Sequence, residues 1–170
     1  MVKGKIVEAN NLLKDFSVPR EHFGAFQPFG DLFIEFDHQN EIKDYIRELD
    51  LEKGILSVSY TANDVKFRRE YFASYPDQAV IIRITSDKKD QITALVSKQP
   101  AQDNAILSIE GNDQIVLSGE MPQSGLKYCS RLKVLTEGGT VKPVDNEIQV
   151  KDANSLTLFL SAATDYAMEW

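Results

Sequence analysis

Three carboxylates, Asp31, Glu35 and Asp37, are the side chains whose type and spacing come closest to a catalytic arrangement. Hydrolysis of a glycosidic bond needs two carboxyl groups facing each other, roughly 5–10 Å apart. Residues two apart in a β-strand share a face and lie about 6.5–7 Å from each other. A solvated strand face gives the same pattern, so the spacing assigns no catalytic role, and we identify no catalytic residue in the chain.

The other reactive side chains form no motif that would hold a metal or a cofactor. His22 and His38 both fall in loop-like sequence, and neither zinc-binding nor calcium-binding spacing is present. No Gly-x-Ser-x-Gly turn or phosphate-binding glycine loop occurs. Cys129, the single cysteine, is predicted to be a small buried residue. The sequence therefore predicts no metal site, no cofactor and no nucleophilic catalysis.

An aromatic loop is the best candidate for a contact or binding surface. It contains Phe23, Phe26, Gln27 and Phe29. Sugars stack on aromatic faces and bind amides through their hydroxyl groups, so these residues could form an interdomain surface or the rim of a sugar site. The structural alternative is that the loop closes one end of the fold.

The composition narrows the range of partners. The 170 residues carry a formal net charge of -7, and an acidic surface repels phosphate backbones, so we expect no nucleic-acid partner. No apolar stretch approaches the length of about 18 residues that a membrane span requires, so no membrane partner is expected. The polar first residues contain no signal peptide, and the localisation of the chain is left undetermined.

The elements that would position these residues follow two periodicities. Residues 3–16 are predicted to form a helix, because apolar side chains recur every three or four residues. The aromatic loop spans residues 17–30, and strands with a period of two occupy residues 31–162. Asn63 and Asp64 predict a two-residue hairpin turn that would set Tyr60 opposite Phe67.

Many short strands separated by turns predict a single domain over residues 1–170. We expect a mainly β fold, an antiparallel β-sandwich of the supersandwich type, with one short N-terminal helix. Residues 80–84 and 156–160 are apolar on both faces, which places them in central strands. If Arg47 faces inward with Tyr45 and Leu49, it needs a buried carboxylate, and Glu70 is the candidate.

Several ordered strings resemble one glycoside hydrolase domain. Residues 26–32 are similar to "YQPLGDL", residues 45–51 to "YRRELDL", residues 69–78 to "REYFASYPDQ" and residues 162–166 to "AATDY". Phe26 and Phe29 depart from the first string, and Ile46 departs from the second. Together the strings resemble the amino-terminal β-sandwich of glycoside hydrolase family 95, the α-L-fucosidase type.

This resemblance implies a larger parent enzyme. Family members hydrolyse terminal α-L-fucosides with inversion, and their catalytic residues lie in an (α/α)6 barrel that follows the sandwich. The resemblance implies no catalytic residue in this chain. It also implies a parent enzyme that is periplasmic or secreted in a bacterium. The opening "GNGRLGAMVFG" and "NEDTLW" segments of the family do not precede Lys3. Missing sheet partners would favour a homodimer through exposed sheet edges.

Three functional hypotheses follow from these observations. The leading one is a non-catalytic N-terminal domain of an exo-acting glycoside hydrolase, which packs on a missing catalytic barrel and helps shape its pocket. The glycan substrate would then be a partner of the parent enzyme. The alternative is a free-standing carbohydrate-binding or protein-interaction module. The third is a small hydrolase that uses Asp31, Glu35 and Asp37. None of them fixes whether the sugar is a fucoside or a galactoside.

Overall fold

The computed structural model describes residues 4–15, 27–38 and 41–167, which contain one helix and twelve strands. The helix α1 spans Ile6–Asp15. The strands are β1 (Gly30–Phe36), β2 (Lys43–Asp50), β3 (Ile55–Ala62), β4 (Val65–Ser74), β5 (Ala79–Ser86), β6 (Ile92–Pro100), β7 (Ile106–Glu110), β8 (Gln114–Glu120), β9 (Lys127–Glu137), β10 (Thr140–Val144), β11 (Glu147–Ala153) and β12 (Ser155–Thr164). No helix within the described ranges is both long and apolar enough to cross a bilayer.

The strands form two antiparallel sheets. The larger sheet has eight strands in the order β2-β3-β4-β5-β12-β9-β8-β7, and the smaller has four in the order β1-β6-β11-β10. This arrangement confirms the predicted mainly β sandwich with one short N-terminal helix. Strands β5 and β12 are neighbours in the middle of the larger sheet. They contain the two runs that are apolar on both faces, so their predicted central position is confirmed.

The core lies between the sheets because every second residue of each strand points inward. The larger sheet contributes Ile84, Leu132 and Leu156, and the smaller sheet contributes Ile92 and Ile148, all completely buried. Complete burial of one such side chain is worth roughly 1.5–3 kcal/mol. The sandwich is therefore stabilised chiefly by apolar contacts between the two layers.

The hairpin between β3 and β4 has the predicted turn. Asn63 and Asp64 adopt φ of 51° and 56°, the left-handed values that a type I′ turn needs. The resulting register sets Tyr60 opposite Phe67, and their rings stack with centroids 5.4 Å apart. The predicted cross-strand aromatic pair is confirmed.

Two expectations about individual side chains were wrong. Arg47 is exposed, because β2 is an edge strand of the larger sheet, and Glu70 instead pairs with Arg68 across 3.1 Å. Cys129 is only half-buried. Alternation turns its neighbours Tyr128 and Ser130 into the core and leaves the thiol on the opposite, outer face of β9.

Candidate functional sites at the two ends of strand β1

Strand β1 carries a group of functional side chains at each end. It runs antiparallel to β6, from Gly30 opposite Pro100 to Phe36 opposite Ala94. Seven residues in a strand separate the two ends by about 20 Å. The aromatic loop leads into the first end, and His38 follows the second, so the sandwich keeps the two groups apart.

The first group, called the Phe29 end, is formed by Gln27, Phe29, Lys98, Tyr128 and Ser130. Gln27 is exposed and accepts a hydrogen bond at Oε1 from Gln102 Nε2, 3.2 Å away. Phe29 is half-buried and packs edge-on against Tyr128, with ring centroids 5.5 Å apart.

Of the four residues predicted to form the contact surface, the structure places Gln27 and Phe29 here. Phe23 and Phe26 lie outside the described residues.

A glycine is required where the chain enters β1. Gly30 has φ of +126°, and a Cβ atom there would come within 2.3 Å of the backbone oxygen of Gln99. L-residues avoid this conformation, and the backbone oxygen cannot move aside like a flexible side chain. The close backbone approach at Gly30 therefore requires a residue without a side chain where the chain enters β1.

Tyr128 brings an unpaired hydroxyl into the Phe29 end. The residue is 8% exposed, and its hydroxyl has no hydrogen-bond partner among the described residues. The ring lies over Gly119, where a Cβ atom would be 2.3 Å from the Tyr128 oxygen. A buried polar group without a partner costs about 1–3 kcal/mol.

Lys98 is an inward-facing cation at the same end. It follows Ala94 and Val96 on the inner face of β6, and its Nζ donates a hydrogen bond to Ser130 Oγ of the larger sheet. Burial lowers the pKa of Lys98, although the nearby Cys129 opposes this shift. No ion pair of Lys98 is found in the part of the chain that the structure describes.

The second group, called the His38 end, is formed by Phe36, His38, Tyr60, Phe67 and Arg69. Its polar atoms bond in series: Arg69 Nη2 donates to the Tyr60 hydroxyl at 2.6 Å, and that oxygen lies 2.9 Å from His38 Nε2. Arginine can only donate, so the Tyr60 oxygen accepts from Arg69. The direction of the bond between Tyr60 and His38 Nε2 depends on the tautomer of the imidazole.

Aromatic rings enclose this hydrogen-bonded series. The His38 ring stacks on Phe36 at 5.2 Å between centroids and lies 4.7 Å from the Phe67 ring. The Arg69 guanidinium sits over the Phe36 ring at 4.3 Å, a cation–π distance. Burial and the positive charge of Arg69 lower the pKa of His38, while Asp37 works in the opposite direction. The ring contacts and the bond to Tyr60 hold the imidazole in one orientation.

A cavity of about 850 Å³ opens beside the His38 end. Glu35 and Asp37 lie in its wall, whereas Asp31 is exposed near the other end of β1. The three carboxylates alternate with more buried residues, as expected for side chains that share one face, but the structure does not bring them together. No group of three or more potential metal ligands occurs within residues 4–15, 27–38 and 41–167.

Sequence reasoning did not find the contact between His38, Tyr60 and Arg69. The alternation of β4 offered a signal, because Arg69 is the only cation that shares the inner face with Val65 and Phe67. An inward arginine needs an acceptor or an aromatic face nearby. Tyr60, already predicted opposite Phe67, lies within reach of it.

Comparisons with known proteins agree with this architecture. The family model described as glycosyl hydrolase family 65, N-terminal domain, matches residues 1–169. α-L-Fucosidase 2 of Arabidopsis thaliana is 30% identical over 168 residues, which cover 84% of this chain and 20% of that protein. Probable alpha-fucosidase A of Aspergillus niger is 27% identical over 120 residues, covering 70% of this chain and 15% of that protein.

A solved structure has the same fold. A putative kojibiose phosphorylase from the human microbiome superimposes with a TM-score of 0.53 at 14% identity, covering 79% of this chain and 22% of that chain. The chain spans about a fifth of the length of the relatives it matches. The expected resemblance to the N-terminal domain of α-L-fucosidase-type enzymes is confirmed, and the family model that matches carries the number 65. The chain therefore belongs to the N-terminal domains of glycosyl hydrolase family 65.

Proposed function

We propose that the chain is a non-catalytic domain that packs on an (α/α)6 catalytic barrel of an exo-acting, α-L-fucosidase-type glycoside hydrolase and helps shape its pocket. The observation that carries the proposal is the match to an N-terminal domain over residues 1–169, together with similarity to fucosidases of which the chain spans only a fifth. In this arrangement the bond cleavage belongs to the barrel, and the sandwich supplies a rigid support beside it.

The exposure of the carboxylates supports a non-catalytic role. An inverting glycosidase needs a general acid that keeps its proton near neutral pH, and burial in an apolar pocket is the usual means. Asp31, Glu35 and Asp37 are all exposed, so none of the three has that environment. The hypothesis of a small self-sufficient hydrolase receives no support from their positions.

The Phe29 end is the surface that we assign to contact with the barrel. Gln27 is exposed with a side-chain amide that can bind another surface. At the same end lies the half-buried Lys98 amine, which bonds to a neutral serine and forms no ion pair within the described residues. A neighbouring domain that placed an acceptor against this amine would offset the cost of its burial.

The simplest test measures activity of the chain alone. Incubation with an aryl α-L-fucoside should release no aglycone above the buffer rate, because the proposed catalytic groups lie elsewhere. Release at an enzyme-like rate would refute the proposal.

A second test examines the contact surface. The catalytic barrel that the proposal requires would be produced alone and together with this chain, and the two would be assayed for co-elution and for fucosidase activity. We expect the double variant Gln27→Ala/Phe29→Ala to weaken co-elution. The control Phe33→Ala, an exposed phenylalanine on the outer face of β1, should leave it unchanged. Equal losses in both variants would remove the assignment to the Phe29 end.

The exposed edge strand β2 supports the expected homodimer as a further proposal. Its apolar side chains Tyr45, Ile46 and Leu49 are 60%, 54% and 60% exposed, and β2 pairs with β3 alone. Open apolar edges associate with other strands. Sedimentation velocity should show a concentration-dependent dimer that Leu49→Lys abolishes, and a monomer at all concentrations would exclude it.

A further inference from the structure

We propose that the cavity at the His38 end binds a neutral sugar residue. The choice of a saccharide rests on the proposed function, whereas the site rests on geometry. The cavity of about 850 Å³ falls within the range of roughly 300–1,000 Å³ that is typical of small-molecule sites. It is built from strand ends and tight turns of both sheets, which hold its walls in place.

The wall of the cavity combines apolar and hydrogen-bonding groups. Phe36, Phe67 and Ala94 contribute apolar surface, while Gln91 and Gln149 contribute amides that both donate and accept. A pyranose ring is likewise both apolar and polar, since its C–H faces pack on apolar groups and its hydroxyls both donate and accept hydrogen bonds. The lining therefore suits a compact polyol better than a purely apolar ligand.

His38 gives the site a fixed polar element. It lines the cavity, and Tyr60, held in turn by Arg69, fixes the orientation of its ring. The stacking of Phe36 on one side of the imidazole limits rotation further. A polar group that is already oriented loses little entropy when a ligand binds, which favours affinity at a small site.

The charges of the lining select against anions. Glu35, Asp37, Asp90 and Asp152 line the cavity against one cation, Lys151. Carboxylates accept hydrogen bonds from hydroxyl groups, but they repel phosphates and sugar acids. No group of three or more potential metal ligands occurs among the described residues, and these carboxylates can accept hydrogen bonds from the hydroxyl groups of an uncharged saccharide.

Nuclear magnetic resonance titration of the whole chain tests the proposal. L-Fucose, D-galactose and D-galacturonate would be added separately at low ionic strength, and the imidazole signals of the two histidines would be followed. The variant His22→Gln assigns the remaining signal to His38. We expect saturable shifts with the neutral sugars at millimolar concentration and about tenfold weaker binding of the galacturonate.

Matched variants on β1 locate the site. Glu35 lines the cavity, whereas Asp31 shares its exposed outer face outside the cavity. Glu35→Leu should weaken neutral-sugar binding by about tenfold, the loss expected for one charge-assisted hydrogen bond. Asp31→Leu should change it by less than about twofold. Thermal melting of both variants confirms that each remains folded.

Three results would overturn the inference. These are no saturable shift with any neutral sugar, equal losses for the two leucine variants, and binding of galacturonate in preference to galactose. Fucosidase activity of the complex with the barrel is measured separately from sugar binding. A negative titration would therefore leave the proposed accessory role unchanged, and an absence of the accessory role would leave the titration interpretable.

Discussion

Buried polar groups are hydrogen-bonded to different extents at the two ends of β1. At the His38 end, Arg69, Tyr60 and His38 bond in series, and aromatic rings cover them. At the Phe29 end, Lys98 bonds to a neutral hydroxyl, and the Tyr128 hydroxyl has no partner among the described residues. A satisfied network rigidifies a fold, whereas an unsatisfied one costs stability. The comparison indicates that the polar groups at the His38 end bond mainly to one another, whereas those at the Phe29 end are less completely paired within the described residues.

The Arg69 guanidinium is a partial exception at the His38 end. Its Nε atom is buried without a hydrogen-bond partner within the described residues. The flat cation nevertheless lies over the rings of Phe36 and Tyr60, at 4.3 Å and 5.0 Å from their centroids. Cation–π attraction therefore compensates part of the desolvation of the guanidinium.

The largest effect should come from the backbone that shapes the Phe29 end. Gly30→Ala places a Cβ atom 2.3 Å from a backbone oxygen at φ of +126°, so we expect a loss of about 3 kcal/mol in the free energy of unfolding. Gly54→Ala is the control, because Gly54 also has positive φ, +66°, but nothing lies within 4 Å of its Cβ position. That variant should lose only about 1 kcal/mol. Urea denaturation measures both, and equal losses would contradict the steric argument.

The sharpest test of the comparison removes one hydroxyl at each end. Tyr60→Phe deletes the oxygen that joins Arg69 to His38 and should cost about 1–3 kcal/mol. Tyr128→Phe deletes a hydroxyl that has no partner among the described residues, so the unfolding free energy should stay the same or rise by up to about 1 kcal/mol. Thermal melting resolves the difference. A larger loss for Tyr128→Phe than for Tyr60→Phe would reverse our assignment of the two ends.

Replacing the inward cation should stabilise the isolated chain. Lys98→Met keeps the length of the side chain and removes a half-buried charge without an ion pair in the described ranges, so we expect a gain of about 1 kcal/mol. Lys142→Met, at an exposed position of β10, is the control and should have little effect. A loss of stability in Lys98→Met would mean that the amine has a stronger partner than Ser130.

The same lysine predicts a pH dependence. Because folding lowers the pKa of Lys98 below 10.5, the unfolded chain binds more protons between the two pKa values. The free energy of unfolding contributed by this group therefore rises with pH across that interval. Lys98→Met should lose this rise in denaturation experiments at increasing pH, while Lys142→Met should keep it.

The smallest expected effect is the acid sensitivity of the His38 end. Folding lowers the pKa of His38 below 6.5, so its contribution to stability is present above pH 6.5 and is lost as the pH falls toward the folded pKa. Wild-type chain should lose more stability between pH 7.5 and 5.5 than His38→Gln does. His22→Gln should retain the wild-type slope, and an unchanged slope in His38→Gln would exclude His38 as the titrating group.

Local patterns were sufficient for most of the fold. The period of two fixed which side chains share a face, and so Tyr60 and Phe67 were predicted as neighbours. Asn63 and Asp64 tolerate positive φ, which set the hairpin register without information from the rest of the chain. Runs that are apolar on both faces indicated the central strands β5 and β12, because a strand covered on both sides needs no polar face.

Position within a sheet was decided only by the tertiary structure. Alternation could not tell that β2 is an edge strand, so it left open whether Arg47 faces inward and needs a buried carboxylate, and Arg47 is in fact solvated. Likewise, alternation left open which face of β9 turns inward at Cys129. The pairing order of the strands depends on contacts between residues far apart in the chain, which local periodicity does not encode.

The sequence by itself determined the β class, the family resemblance and which residues of each strand share a face, because these depend on neighbouring residues. Only the folded chain decided that His38, Tyr60 and Arg69 meet, since they come from the end of β1 and from two strands of the opposite sheet. The cavity likewise exists only where both sheets and their turns converge. Contacts between layers are set by how two surfaces pack, and that packing is a property of the whole domain.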